Sequence, residues 1–185
     1  MILEPDLVTR FYLDALRDGV RTTAPADIPV PIVVAAAPDA LTGDEVGFHL
    51  YALHEDRNAP SSVAAPERMG SGMRSTVPRG RREAWNLEFV LGAVSNRARG
   101  EATLAELAML SAAMRALEFA QRVDRPRQKP VTGPVAMDPD STVTLDLQRV
   151  ELSESIASWL RASKYGLRVA VGYRVRATVT WFEKD

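Results

Sequence analysis

The chain contains no cysteine. That excludes disulfides, thiolate nucleophiles and zinc sites built on sulfur, and it suits a reducing compartment. Histidine is scarce, with only His49 and His54. Five apart in a segment that reads as a strand, the two are expected on opposite faces, so a shared metal is not expected. An excess of charge of one sign is missing too. The formal net charge is −1, which leaves no global field to draw nucleic acid or an anionic membrane. No apolar run approaches the ~20 residues needed to span a bilayer. The N-terminus carries Glu4, Asp6, Asp14 and Asp18 where a signal peptide needs basic residues and an apolar stretch. The expectation is a protein made in the cytoplasm, without Sec export and without a membrane segment. Aromatic residues are few, at 6%, which points to contacts spread over a surface rather than concentrated in hot spots.

Catalytic constellations are absent as well. No G-x-S-x-G turn presents a nucleophilic serine. Gly70-Ser71-Gly72 lacks the lysine of a phosphate loop and the strand-turn-helix setting of a dinucleotide site. Asp138, Asp140 and Thr142 lack the central glycine and terminal glutamate of a calcium loop, and read as a solvated turn around Pro139. Glu151 and Glu154 flank a helix start, where negative charge is favourable on dipole grounds alone. The residues therefore argue against an enzyme and supply no catalytic, cofactor-binding or metal site.

What is present fits one α+β domain over residues 1–185, with 46% apolar and 25% charged residues. Leu3, Leu7, Phe11 and Leu16 space out an amphipathic helix from about Pro5 to Asp18, with Gly19 as its stop. Prolines 25, 29, 31 and 38 exclude a helix over 20–45 and leave room for a short edge strand at Ile32-Val33-Val34. Val46 to His54 and Trp85 to Ala93 read as strands. Leu104, Leu107, Leu110, Met114 and Leu117 mark the longest helix, Glu101 to Arg122. Val143, Leu145 and Leu147 alternate in a further strand. Ser153 is placed to cap a short helix holding Ile156, Trp159 and Leu160. The expected architecture is a mixed or antiparallel sheet of about four strands packed by two or three helices.

The closing stretch, LRVAVGYRVRATVTWF from Leu167 to Phe182, carries the strongest pattern. Val169, Val171, Tyr173, Val175, Ala177, Val179 and Trp181 fall on one face, and Arg168, Arg174, Arg176, Thr178 and Thr180 on the other. Such alternation describes one half-buried strand of roughly 50 Å, well beyond the usual length. A strand that long is expected to outrun its domain and offer backbone and side chains to a partner.

Residues 57–82 stand apart, with six arginines against one glutamate and three prolines, three glycines and four serines. With little apolar surface to offset its ordering entropy, this stretch is expected to be a mobile arm, and residues 124–142 a second loop. Within it Arg74, Arg79, Arg81 and Arg82 form the only basic cluster. They suit a solvated loop, an arm that orders on an acidic protein surface, or a nucleic-acid contact, although no aromatic lies among them to stack a base. Trp159 beside Arg161 and Lys164 suits either core or an interface rim.

The succession REAWNLEFVLGAVS, a leucine- and alanine-rich helix, and then VTLDLQRVELSESIASWLRASKYGLRVAVGYRVRATVTWF resembles the cap, or tail-terminator, proteins of extracellular contractile injection systems. These are phage-tail-like particles such as the antifeeding prophage. The matching features are Trp85 to Val94, Val143 to Leu152, Trp159, and Tyr173 within the last strand, with VGFHLYALHEDRN as the early strand. The resemblance covers residues 84–182 and, more loosely, 1–56. The long arginine-rich loop departs from it.

The resemblance implies a structural protein forming a ring, a homo-hexamer, on the last layer of inner tube and sheath. It would stop polymerisation and hold the sheath end to the tube. Its implied partners are copies of itself, the inner tube protein and the sheath protein, in a particle assembled in the cytoplasm, with no nucleic acid and no cofactor. The expected interface residues are Arg74, Arg79, Arg81, Arg82, Trp159, Arg161, Arg168, Arg174 and Arg176. The alternatives are a baseplate or tube adaptor of the same kind of particle, and an unrelated binding module that uses the basic loop.

Overall fold

The computed structural model describes residues 5–23, 26, 30–57, 62–64, 79–124, 142–162 and 169–182. Helix α1 spans Pro5–Thr23, β1 Ile32–Val34, β2 Glu45–Glu55, β3 Ser62–Ala64 and β4 Arg79–Val94. Helix α2 spans Arg99–Asp124, β5 Thr142–Val150, α3 Glu154–Ala162 and β6 Ala170–Phe182, with a 3-10 turn at Pro38–Ala40. The fold is α+β and the sheet is mixed: the order is β1-β2-β4-β6-β5, only β1 and β2 run parallel, and β3 pairs with β4.

The long last strand alternates as its sequence requires. Tyr173, Val175, Ala177 and Val179 are buried, and Arg174 and Arg176 are exposed. Its position in the sheet differs from the expectation. β4 pairs along one side from Gly80↔Phe182 to Gly92↔Ala170, and β5 along the other from Thr142↔Thr180 to Val150↔Gly172. The backbone of β6 is thus taken up by its own domain. Alternation reports which faces are covered, not which edges are, so an interior strand with one wet face carries the same pattern as an edge strand.

The same pairing explains why six strands form where about four are expected. β4 begins at Arg79, well before the alternation that starts at Trp85. Its first residues give it a length to match β6, with Arg81 opposite Trp181 and Arg82 opposite Thr180. β3 folds back on them as a hairpin arm, Ser62↔Arg81, Val63↔Gly80 and Ala64↔Arg79. The loop expected over 57–82 is therefore strand at 62–64 and 79–82, because ladder hydrogen bonds need backbone groups and no apolar pattern. Residues 58–61 and 65–78, with Arg74, lie outside the described residues, as do 125–141 of the second loop.

Helices α1 and α2 cover one face of the sheet. Leu16, Val20, Phe48, Leu87, Phe89, Leu91 and Leu117 are fully buried between the layers, and the Phe48 and Phe89 rings stack at 4.3 Å. α1 continues through Gly19 to Thr23 instead of stopping there. A Cβ on Gly19 would stand 2.3 Å from Ala116 Cβ on α2, so the glycine permits a close helix crossing. Its propensity cost of about 1 kcal/mol relative to alanine is offset by that contact.

The opposite face is covered only in part. Ser153 caps α3 as expected, with Ile156 N–H donating to Ser153 Oγ at 3.4 Å. Trp159 of α3 lies against His49 of β2, ring centroids 6.2 Å apart, and Leu160 is buried. The approach to α3 runs flat on the sheet: a Cβ on Gly172 would meet Val150 O at 2.7 Å and Leu152 Cδ2 at 3.0 Å. The remainder of this face is polar.

Candidate functional site

A β-bulge organises the polar half of the open face. In the β2–β4 register Leu50 stands opposite Phe89 and Ala52 opposite Glu88, so Tyr51 and Ala52 together face one residue. The extra residue changes the parity of everything after it. His49 pairs with Val90 and His54 with Asn86, both positions of the open face. The two histidines, expected on opposite faces, therefore share one. The bulge is the reason, and periodicity alone does not show it.

Glu88 collects the donors that the bulge aims. Arg174, opposite it on β6, donates from Nε and Nη2 to Glu88 Oε1 at 3.1 and 2.7 Å. His54 Nε2 lies 3.5 Å from the same oxygen, and the Tyr51 hydroxyl also donates to this carboxylate. Burial alone raises the Glu88 carboxyl, but the hydrogen bonds from Arg174 and His54 and the Arg174 charge outweigh it and hold it below the usual range. Tyr51 responds in the other direction. Burial first, then the negative charge of Glu88, pushes its hydroxyl up to about 12. Nearer the Trp159 end of the face, burial lowers His49, partly opposed by the charge of Asp39.

A second ion pair lies one row along. Arg176 Nη2 meets Asp56 Oδ2 at 2.9 Å, and the Asp56 N–H donates to Ala84 O at 2.7 Å. Beside these arginines, Gln148 stands opposite Arg174 and Asp146 opposite Arg176, and Gln148 Nε2 donates to Asp146 Oδ2 at 2.9 Å. The result is a charge-matched surface across four strands, capable of positioning polar contacts. Among the described residues no group of three or more His, Cys, Asp or Glu side chains is placed to hold a metal. Among them, too, no helix is long and apolar enough to cross a membrane.

The expected interface residues whose side chains are described lie in different parts of the fold. Arg174 and Arg176 share the polar face and meet Glu88 and Asp56 of the same chain. Arg161 sits on the exposed side of α3, with Nη2 2.6 Å from Glu154 Oε1 and 3.2 Å from Ser158 Oγ. Trp159 is half-buried on His49. Arg82 is half-buried in β4, at the far end of the sheet from α3. Arg79 and Arg81 are placed in β4 by their backbone alone, and Arg74 and Arg168 lie outside the described residues. Sequence reasoning missed Glu88, Tyr51 and Asp56. Only Glu88 left a trace, as a polar position in an alternating strand.

The described residues form a helix-backed mixed sheet with one charge-matched open face. The chain belongs to the Pvc16 N-terminal domain family, whose model matches residues 11–183. That membership agrees with the resemblance to contractile-injection-system cap proteins. No curated protein matches the chain significantly. Among solved structures the chain is similar to the PVC sheath/tube terminator in its extended state, from a cryo-EM structure of an extracellular contractile injection system. The identity is 18% and the TM-score 0.49, over 95% of this chain and 57% of that one. The chain thus spans less than two thirds of that protein's length.

Proposed function

We propose that this chain is a structural, non-enzymatic component of an extracellular contractile injection system, and that it terminates the sheath and inner tube. In this reading six copies form a ring on the last tube layer, stop its growth and hold the end of the sheath. The observation that carries it is membership of the Pvc16 N-terminal domain family over nearly the whole chain. Elementary assembly physics supports the role. A growing tube exposes unpaired edges and self-complementary patches, and a closed ring can satisfy one face while presenting no new one. The charge-matched open face fits a protein that meets ordered neighbours, since a face without net charge excess resists nonspecific ion-driven association.

The partners in this reading are copies of the chain, the tube protein and the sheath protein. Labelled protein on isolated particles tests the placement. Label at the end opposite the baseplate supports a terminator, and label at the baseplate makes the chain an adaptor instead.

A further inference from the structure

Among the described residues two long strands, β5 and β2, have unpaired stretches along their outer sides. Among the described residues the outer side of β5 has no strand partner along Thr142–Val150, and its register with β6 runs without a shift. The outer side of β2, among the described residues, is paired by β1 only at Glu45, Val46 and Gly47; it is open from there toward Glu55, with the bulge at Tyr51 and Ala52 within the open stretch. Exposed edges are normally blunted by proline, lysine, a bulge or brevity. β5, with the sequence TVTLDLQRV, has no proline, lysine or bulge over nine residues, and its one charge on the helix-covered face, Arg149, is paired with Glu118 of α2 at 3.0 Å. A long, regular edge of this kind is a template for an added strand.

We propose that the two edges form one joint: β5 of one copy pairs antiparallel with the open edge of β2 in a second copy, head to tail. Strand direction permits it. β2 and β6 both run antiparallel to β4, and β5 antiparallel to β6, so β5 is antiparallel to β2 of an equally oriented copy. Apolar surface favours it. Leu53, opposite buried Leu87, stands on the helix-covered face of β2 and is 41% exposed; the partly buried Leu145 occupies that same face of β5, next to Leu147, which already belongs to the core. Strand addition brings these side chains together.

Charge adds a register. Asp146, Arg176, Asn86 and His54 lie in one transverse row across the sheet. Continued across the joint, the row sets the Asp146 carboxylate beside the second copy's imidazole at position 54. Only even register steps keep both faces matched, because a one-residue slip would turn every side chain over. A joint that uses one edge and offers the other is heterologous, so it repeats by rotation until the sheet closes and no edge is left. This inference rests on the ring reading above and names the surface that builds the ring.

Lack of native cysteine makes the test clean. Full-length Asp146→Cys/His54→Cys and Asp146→Cys/Ala52→Cys variants, with the three single variants, are oxidised mildly and compared on non-reducing gels and by native mass spectrometry. Directly opposed strand positions bring Cβ atoms within disulfide reach. The expected result is a reducible covalent ladder up to the native oligomer mass in a double variant, and nothing beyond dimer in the singles. A native oligomer that neither double variant cross-links overturns the joint and leaves the ring standing. A chain that stays monomeric at every concentration overturns the ring reading, and the joint with it. Leu53→Glu, at an exposed position, checks the result without cysteine. Half-assembly concentration is expected to rise at least tenfold with the melting profile of the monomer kept, and unchanged assembly contradicts the joint.

Discussion

Glu88 on β4 and Arg174 on β6 stand directly opposite each other, and the arginine reaches one carboxylate oxygen with two nitrogens, at 3.1 and 2.7 Å. The arginine side of the last strand thus meets acids of its own chain, Glu88 and Asp56, before it meets any partner. These pairs fix the two arginine side chains on the sheet, so under the proposed ring reading they would have little freedom left to lose on docking.

Replacing Glu88 by glutamine tests that network. The folded-state carboxyl is held below its ordinary 4.5, so the stabilisation it brings is fully present above that value and is lost as pH falls through the depressed one. The parent is expected to exceed Glu88→Gln by about 1–2 kcal/mol near neutral pH. The gap should close in acid. Urea denaturation of both proteins at several pH values measures it, and a gap that is constant with pH contradicts the assignment.

His49 carries a second, separable pH dependence. Burial against the Trp159 end of the face favours its neutral form and lowers it from 6.5. Its contribution is therefore complete above 6.5 and declines as pH falls toward the lowered value. His49→Gln should remove the part of the acid-side loss that begins just below neutrality, while leaving the Glu88-dependent part at lower pH. Melting curves across pH 7 to 4 separate the two.

Gly19→Ala is expected to destabilise despite alanine's higher helix propensity. The added methyl would sit 2.3 Å from Ala116 Cβ and 2.9 Å from its Cα, so the helices must part. Overpacking of this kind costs roughly 1–3 kcal/mol, beyond the ~1 kcal/mol gained from propensity. Adding Ala116→Gly should restore part of the loss, which chemical denaturation of the single and double variants reads directly.

The arginine-rich segment makes a prediction about function rather than folding. Replacing residues 66–77 by a two-residue turn leaves the β3–β4 pairs intact. The variant is expected to keep its melting temperature within a few degrees and to lose efficiency in particle capping. A matching loss of thermal stability would mean that the segment serves the fold.

The helices, the capping serine at 153 and the core face of β6 were legible because each is written in local periodicity. Leu104 to Leu117 repeat at helical steps, although Leu104 and Leu107 are exposed and alanines make up much of the packed side, and Tyr173 to Val179 alternate. The strand at Ser62–Ala64 and the first residues of β4 were not, because backbone ladders hold them, β4 on β6 and β3 on β4, and their side chains carry no pattern. Gly19 carried a true signal with two meanings, since a helix stop and a close helix crossing both call for the residue without a Cβ. The Glu88 network was illegible for a different reason. It joins residues 51, 54, 88 and 174, which only the bulge and the sheet register bring together.

The most direct test of the account is the length of particles seen by electron microscopy in a host with and without this gene. Termination by this chain predicts over-long, ragged or sheath-shedding particles in its absence, restored to uniform length by the gene in trans. Particles of unchanged length and integrity without it would contradict the proposed role.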